Sequence, residues 1–502
     1  MRTVALWYIM IASESGHGSV RMEDAMKCDV IYRTSTSFVV EIRENGYFSS
    51  EQEHEIYVNG NLAERSDRNV ATVFGLEPAT TYEVRIRCGS DESETFSVTT
   101  AEEYVTLNVR DFGAKGDGET DDTLFIQCAI NACPKGGRVY IPAGVYRICP
   151  LFLKSDLVLE IGKDATLSAF TDRTKFPILP GKIECVDKEK EYLLGTWEGD
   201  PLDMFAGIIT GINVENVVIT GQGTIDGCAS RENWWHDPKV KRIAWRPRMI
   251  FLNHCKNVVL HGITVKNSPS WNIHPYFSED LKFIGISVLG PKDSPNTDGL
   301  DPESCKNVDI IGVYFSVGDD CIAIKSGKIY MGAKYKTPSE NLTIRQCCMR
   351  DGHGSITIGS EMAGGVKNLN VENCLFLHTD RGLRIKTRRG RGRDAIVTGI
   401  RFSDERGIRQ MGNLYAAKES CQMFSFPYVG GSYSGTGDLF ASCLCAGIAR
   451  GDDIPSIIQT AGEFIELSLA DSVKEGVGQN DGVNYEKYLS LLIPKSARVS
   501  SG

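Results

Sequence analysis

Nowhere in this 502-residue chain is there a run of about 18 apolar residues, the length a membrane-spanning helix needs, so no membrane association is expected. Positive charge is in deficit: 55 Lys and Arg against 65 Asp and Glu leave a net charge of -10. That balance argues against a general nucleic-acid partner. It does not exclude an acidic substrate, because a local basic patch can act against the global sign. Paired CxxC motifs with zinc spacing are missing, and the 16 cysteines are scattered, with only Cys347 and Cys348 adjacent. Free, buried thiols in a reducing, cytoplasmic compartment are therefore expected rather than a disulfide framework and export. No metal and no cofactor are expected. With 41% hydrophobic and 24% charged residues, disorder is excluded too.

What is present points to more than one domain, since the chain is too long for one ordinary core. Residues 1–25 hold a short apolar run, Val4 to Ala12 behind Arg2, which reads as an extension or a weak signal-like segment. Residues 26–101 alternate in the strand manner, as in Ser37-Phe-Val-Val-Glu-Ile42, His54-Glu-Ile-Tyr-Val58 and Tyr82-Glu-Val-Arg-Ile86. Short strands at regular spacing with polar turns predict a small β-sandwich. Leu76, Pro78, Thr80 and Tyr82 stand in the L-x-P-x-T-x-Y pattern, and the segment resembles a fibronectin type III domain. The resemblance implies a structural tyrosine, tied through its hydroxyl to the backbone, and a spacer or substrate-lip module without catalytic groups.

Next comes Phe112-Gly-Ala-Lys-Gly-Asp-Gly, followed by Glu-Thr-Asp-Asp. Thr120 is expected to cap a helix with Leu124, Cys128 and Ala132 on its apolar face, closing the open end of a solenoid. Asp117, Asp121 and Asp122 fit capping better than calcium, because the EF-hand pattern and its closing Glu are missing.

A repeat then emerges. Asn216, Asn257, Asn307, Asn341 and Asn368, with Asp280 in the same place, each open a short alternating apolar strand. Successive gaps of 41, 23, 27, 34 and 27 residues describe a solenoid whose coils carry insertions on their faces. Each Asn is read as a turn residue bonding the backbone of the next coil. Residues at equal offset from these turns are expected to stack. Asp319 and His353 lie 12 residues on, Asp320 lies 13, and Asp298 and Lys386 lie 18, with Arg384 two before Lys386. Three carboxylates, a histidine and two cations are thus expected to converge on one face.

The words Asn296-Thr-Asp-Gly299, Gly318-Asp-Asp320, Gly352-His-Gly354 and Arg384-Ile-Lys386, in that order, resemble glycoside hydrolase family 28, the polygalacturonases, over residues 105–404. The resemblance implies an all-β fold, a right-handed parallel β-helix, and inverting hydrolysis of pectic galacturonan. The fibronectin-like module in front points to exo action by analogy with bacterial members. It makes Asp319 the general acid, and Asp298 with Asp320 the pair that holds and activates water. His353 would hydrogen-bond the acid, Arg384 and Lys386 would bind the galacturonate carboxylate, and Asn296 would position sugar hydroxyls or the carboxylates. Asn272 and His274, in Asn267-Ser-Pro-Ser-Trp-Asn-Ile-His274, would add substrate contacts. A β-helix pectate lyase is the rival reading, although the NTDG and GDD words do not belong to it. Inversion with two carboxylates calls for a separation of about 6.5–9.5 Å.

Beyond Asp404 the repeat stops. Residues 410–492 resemble instead the C-terminal end of pyridoxal/pyridoxine kinases. Gly435-Thr-Gly-Asp438 opens a helix there, with Gly435, Gly437 and Asp438 in the phosphate-facing and acceptor-deprotonating places. Fewer than 100 residues match and the rest of a kinase is missing, so the fragment is read as vestigial. The sequence leaves open whether its helices cover the last coil, and a fusion with reduced hydrolase activity is the alternative expectation. Oligomeric state is left open as well.

Overall fold

The computed structural model describes residues 26–493 except 44–46, 187–190, 389, 393–396, 404–409, 417–420, 428, 430–432, 434–435 and 479–481. Two compact units are distinguished, one running to Phe402 and one from Ser403 onward.

The first unit opens with two antiparallel sheets. Cys28–Arg33, Ser37–Ile42 and Val70–Phe74 form one, and Ser49–Val58, Asn61–Arg68 and Thr81–Cys88 are the main strands of the other. Phe38, Val40, Ile56, Val73, Val84 and Ile86 fill the space between them. The strand Asn61–Arg68 has no apolar alternation to betray it, since its side chains are mostly exposed and charged, as suits a sheet edge. The Tyr82 hydroxyl accepts the Glu77 N–H at 2.9 Å, the corner tie expected of it.

From Thr106 the chain winds into a right-handed parallel β-helix. A ten-stranded sheet runs from Thr106–Asn108 to Val397–Ser403, and a nine-stranded sheet runs beside it. The third sheet comes in two pieces. Ile209–Ile212, Ile250–Asn253 and Ile273–Tyr276 belong to one, and Ile322–Ile324, Ile356–Gly359 and Leu383–Lys386 make the other. Residues 300–303 bridge the pieces, Leu300 pairing with both Ile273 and Ile322. Inside, like residues stack coil on coil: Ile219, Leu260, Phe283, Ile310, Ile344 and Val371 are successive register partners and all but fully buried. Burying each such side chain is worth about 1.5–3 kcal/mol, which is what drives the coils together.

The turn asparagines behave differently from expectation. Their backbones are left-handed, with φ of 51–58° from Asn216 to Asn368, a conformation Asn tolerates better than other side-chain-bearing residues. Their amides bond the neighbouring coil's side chain, not its backbone: Asn307 Nδ2 to Asp280 Oδ1 at 2.8 Å, Asn341 to Asn307 and Asn368 to Asn341 at 3.1 Å. Equal spacing puts equal side chains in reach, and an amide has both a donor and an acceptor to continue the ladder.

The covering helix is present at Thr123–Ala132, but on another phase. Ile126, Ala129 and Ile130 are buried, while Leu124 is 75% exposed and Cys128 and Ala132 face solvent. Thr120 does not cap it. That residue sits in the strand Asp117–Asp121, hydrogen-bonded to Asp117, and Asp122 occupies the cap position. The Asp122 carboxylate accepts the N–H groups of Lys115 and Gly116 at 2.7 and 2.9 Å, pinning the glycine-rich loop.

The sandwich packs on the outer side of the long sheet. Val39 and Val70 meet Val259, Ile284 and Ile311, Glu41 takes a two-pronged bond from Arg345, and Gln346 accepts from Phe48 N and Asn69. Approach is close enough that a Cβ on Gly312 would lie 2.6 Å from Val70.

The second unit holds an antiparallel hairpin, Gln410–Ala416 with Cys421–Pro427, and two helices, Thr436–Arg450 and Ile454–Glu475. The longer helix is capped by Asp453 and closed by left-handed Gly476, and Ile457, Phe464 and Leu469 bury against Phe426 and Leu444.

Candidate active site

Asp298, Asp319 and Asp320 do converge: each offers an oxygen within 4.8 Å of the others. The register explains how. His353 and Asp319 lie side by side on adjacent coils, the His353 N–H donating to the Asp319 carbonyl at 2.9 Å, as their equal offsets require. Asp298 falls in line with Asp320 rather than with Lys386, because Gly299 N donates to Asp320 O and Leu300 pairs with Ile322. The turn after Ser287–Leu289 is longer than its counterparts, so offset counting from Asp280 runs ahead of the true register.

Burial divides the three. The Asp320 side chain is fully buried, Asp298 is 6% exposed, and Asp319 is 19% exposed beside a half-exposed His353. The His353 Nδ1 lies 3.0 Å from Asp319 Oδ1. That hydrogen bond raises the His353 pKa. Burial pushes the Asp319 carboxyl up, but His353, then Lys386 and Lys325, outweigh it and hold it below its ordinary value. Asp298 goes the other way, pushed up to about 7 by burial first and by the charge of Asp319 next. The groups are close enough to titrate as one system, in which burial favours the protonated form of Asp298 and the neighbouring charges favour the ionised form of Asp319.

Arg384 and Lys386 are in place, each a little over one-quarter exposed, and both engage Asp320: Lys386 Nζ at 2.6 Å and Arg384 Nη1 at 3.3 Å. Neutralisation of the most buried carboxylate by cations from a later coil is what lets Asp320 be buried at all. Asn296 lies at the rim, where its Oδ1 accepts from Arg246 at 2.6 Å.

Two expected substrate contacts are not brought to the site's open side. Asn272 is buried, its amide donating to the carbonyls of Thr297 and Asp298, so it braces the backbone under the acid cluster. His274 is fully buried between Glu303, at 2.9 Å from Nε2, and Arg248, at 3.3 Å from Nδ1. Alternation on the strand Ile273–Tyr276 turns it away from the interior, but the chain arching over that face seals it from any sugar. Of the kinase-like residues, Gly435 lies outside the described residues. Gly437 and Asp438 fall within the helix Thr436–Arg450, where the backbone alone is described.

The residues that sequence reasoning missed lie under this cover. Lys325 is 3% exposed, and its Nζ lies 3.6 Å from Asp298 and 3.4 Å from Glu361. A signal for it existed, since it stands 18 residues after Asn307, the offset Lys386 has from Asn368. Arg248, Asp301 and Glu303 were hidden because their coils lack a distinctive word. The cover itself comes from residues 170–186 and 191–208 of one insertion and 227–249 of another. They meet where Trp197 stacks on Trp245 at 4.6 Å, with Arg248 between Trp197 and Trp271.

Fold and site together define a class: a right-handed parallel β-helix with a carboxylate cluster, a histidine and two cations gathered at one sheet, the construction of an enzyme that cleaves glycans. Residues 163–408 match the family model for glycosyl hydrolases family 28. An endo-polygalacturonase of Pectobacterium parmentieri is 34% identical over 305 residues, covering 58% of this chain and 70% of its own. A Vitis vinifera protein named "Probable polygalacturonase" is 35% identical over 303 residues, covering 58% of this chain. Among solved structures, a Yersinia enterocolitica family 28 exopolygalacturonase matches the fold with a TM-score of 0.55 at 23% identity, over 72% of this chain and 76% of that one. A hyperthermoactive exopolygalacturonase from Thermotoga maritima gives 0.51 at 29% identity, over 60% and 75%. The chain belongs to glycosyl hydrolases family 28. It spans 59% of the length of the Vitis vinifera relative.

Proposed function

We propose that the chain hydrolyses α-1,4-galacturonosidic bonds of pectic galacturonan, with inversion and from chain ends. The observation that carries this reading is the graded burial of three clustered carboxylates. Asp319 is the one with surface to offer a glycosidic oxygen, so it delivers the proton. The proton held at Asp298 reaches it across the shared cluster. Asp298, its proton passed on, and Asp320, behind it, hold the attacking water, whose proton returns to Asp298 as the bond to the anomeric carbon forms.

One oxygen from each of the three lies within 4.8 Å of the others, a tight cluster beside the separation of about 6.5–9.5 Å between the carboxyl groups of inverting enzymes. Burial argues for inversion all the same. A covalent glycosyl intermediate needs a carboxylate free to reach the anomeric carbon, whereas Asp320 is locked by Lys386 and Arg384 and Asp298 is almost sealed. Water is small enough to reach them. The donors of Arg384 and Lys386 not spent on Asp320 suit the substrate carboxylate. Exo action is supported by the likeness to the Thermotoga maritima exopolygalacturonase.

Residues 26–101 we read as a fibronectin type III-like brace rather than a substrate lip, because they pack on the long sheet and the site lies on the third. Residues 410–492 we read as a kinase-like fragment without phosphotransfer, and the location as cytoplasmic.

Incubation with polygalacturonate and with short oligogalacturonides tests the reading. Monomer or dimer release without a rapid fall in viscosity is expected, with the first-formed reducing end β by proton NMR. Asp319→Asn should lower the rate by at least about 10²-fold, the lower range for a lost general acid. A new absorbance near 235 nm would mean elimination, hence a lyase. A first-formed α anomer would overturn inversion.

A further inference from the structure

Outward-facing residues of the third sheet stack in two rows. In one, Tyr276, Glu303 and Lys325 are register partners, and Gly359 and Lys386 continue the line on the next coils. Lys325 is thus a cation built into the same sheet as Arg384 and Lys386, two coils before them, and it is far more buried than either. It is buried, it lies over the Trp271 ring at 4.4 Å, and its two nearest anions are Asp298 on one side and Glu361 on the other. Burying an ammonium ion is costly unless its partners hold it, and nothing in packing alone requires a cation here.

Glu361 is itself not free. It is paired with Arg391, which reaches Glu198 of the covering insertion at 2.9 Å, and its side chain lies against Gly199. Charges therefore alternate from the site outward: Asp298, Lys325, Glu361, Arg391, Glu198. The geometry points to Lys325 as a positioning residue of the proposed hydrolysis, which sets how tightly the carboxylate cluster holds its proton and is itself restrained through Glu361 and Arg391 by the insertion that carries Glu198. This rests on the hydrolase reading above.

The electrostatics agree in direction. Burial alone would push Lys325 down, but Asp301 and Asp298, then Asp320 and Asp319, outweigh it and hold it at about 12. It therefore stays charged through the working range and pulls the Asp298 carboxyl down against burial. The other charged groups around Asp298 are Asp319, Asp320 and Lys386, and beneath it Asp301. Arg246 and Arg248 act on it from the second insertion. Glu303 and His274 neighbour Lys325 further along the rows and keep each other company at 2.9 Å.

The alkaline limb of kcat/KM reports loss of the cluster's proton. Removing the Lys325 charge makes that proton harder to lose, so in Lys325→Gln the limb should move to higher pH by about one unit or more, roughly tenfold in proton affinity. Lys325→Arg keeps the charge and should leave the limb in place. Glu361→Gln removes the opposing anion, and should move it to lower pH. That opposite sign keeps the test decisive if Lys325→Gln fails to fold. A second readout does not need turnover: the pH dependence of Tm of each protein relative to its Asp298→Asn counterpart gives the midpoint of Asp298. If wild-type protein releases no galacturonate, the hydrolase reading fails, and the Tm series still decides whether Lys325 governs Asp298. Uniformly lower activity with both midpoints unmoved in Lys325→Gln and in Glu361→Gln would overturn the assignment and leave Lys325 a packing element.

Discussion

At Asp298, burial and function pull against each other. Its carboxyl is pushed up to about 7, so between the ordinary aspartate value near pH 4 and pH 7 the native state holds a proton that the unfolded chain has released. Stability from this group is therefore full below about pH 4 and is lost as pH rises through about 7. Asp298→Asn should be inactive yet melt higher than the parent above pH 7, the difference shrinking towards pH 4. A constant difference across that range by thermal melts would show that the group is not desolvated. Single residues were legible where chemistry leaves a word: Asp298, Asp319, Asp320, His353, Arg384 and Lys386 all reach one site. Lys325 was not, because its word is an ordinary strand ending and its importance comes from Glu361 and Asp298, distant in sequence.

Among the elements, the asparagine ladder shows how a repeated residue becomes a structural column. Asn307 both donates to Asp280 and accepts from Asn341. Asn307→Ala loses both bonds and puts alanine at a φ of 55°, so a loss of about 1 kcal/mol is expected despite its exposure. Asn307→Gly, which relieves the backbone, should lose less; denaturant titrations of the two variants separate backbone from amide. The strands were readable from alternation, and so was the presence of a helix before them. Its phase was not. Leu124 and Cys128 look apolar, but the face is chosen by the coil beneath, which takes Ile126, Ala129 and Ile130.

Across the molecule, the sandwich and the β-helix share an apolar seam at Val39, Val70, Val259, Ile284 and Ile311, flanked by the Glu41–Arg345 pair. His261 sits fully buried in that seam, held between Thr72 and Thr220, and burial drops its pKa to about 3, so it stays neutral in use. A chain starting at residue 102 would expose the seam and leave Arg345 without its partner. It should aggregate on size-exclusion chromatography or melt well below the parent, and a soluble monomer with an unchanged Tm would show the module to be dispensable.

The sequence by itself determined the coil repeat, the solenoid and which carboxylates, histidine and cations converge on one face, because these depend on local alternation and on short words whose spacing recurs. Tertiary structure alone decided which carboxylate is exposed and which is locked, that His274 and Asn272 are interior, and that two insertions meet through the stacked Trp197 and Trp245. Those outcomes depend on burial and on charges brought together from coils tens of residues apart, and desolvation is a property of the packed surroundings that no residue carries in its own letter.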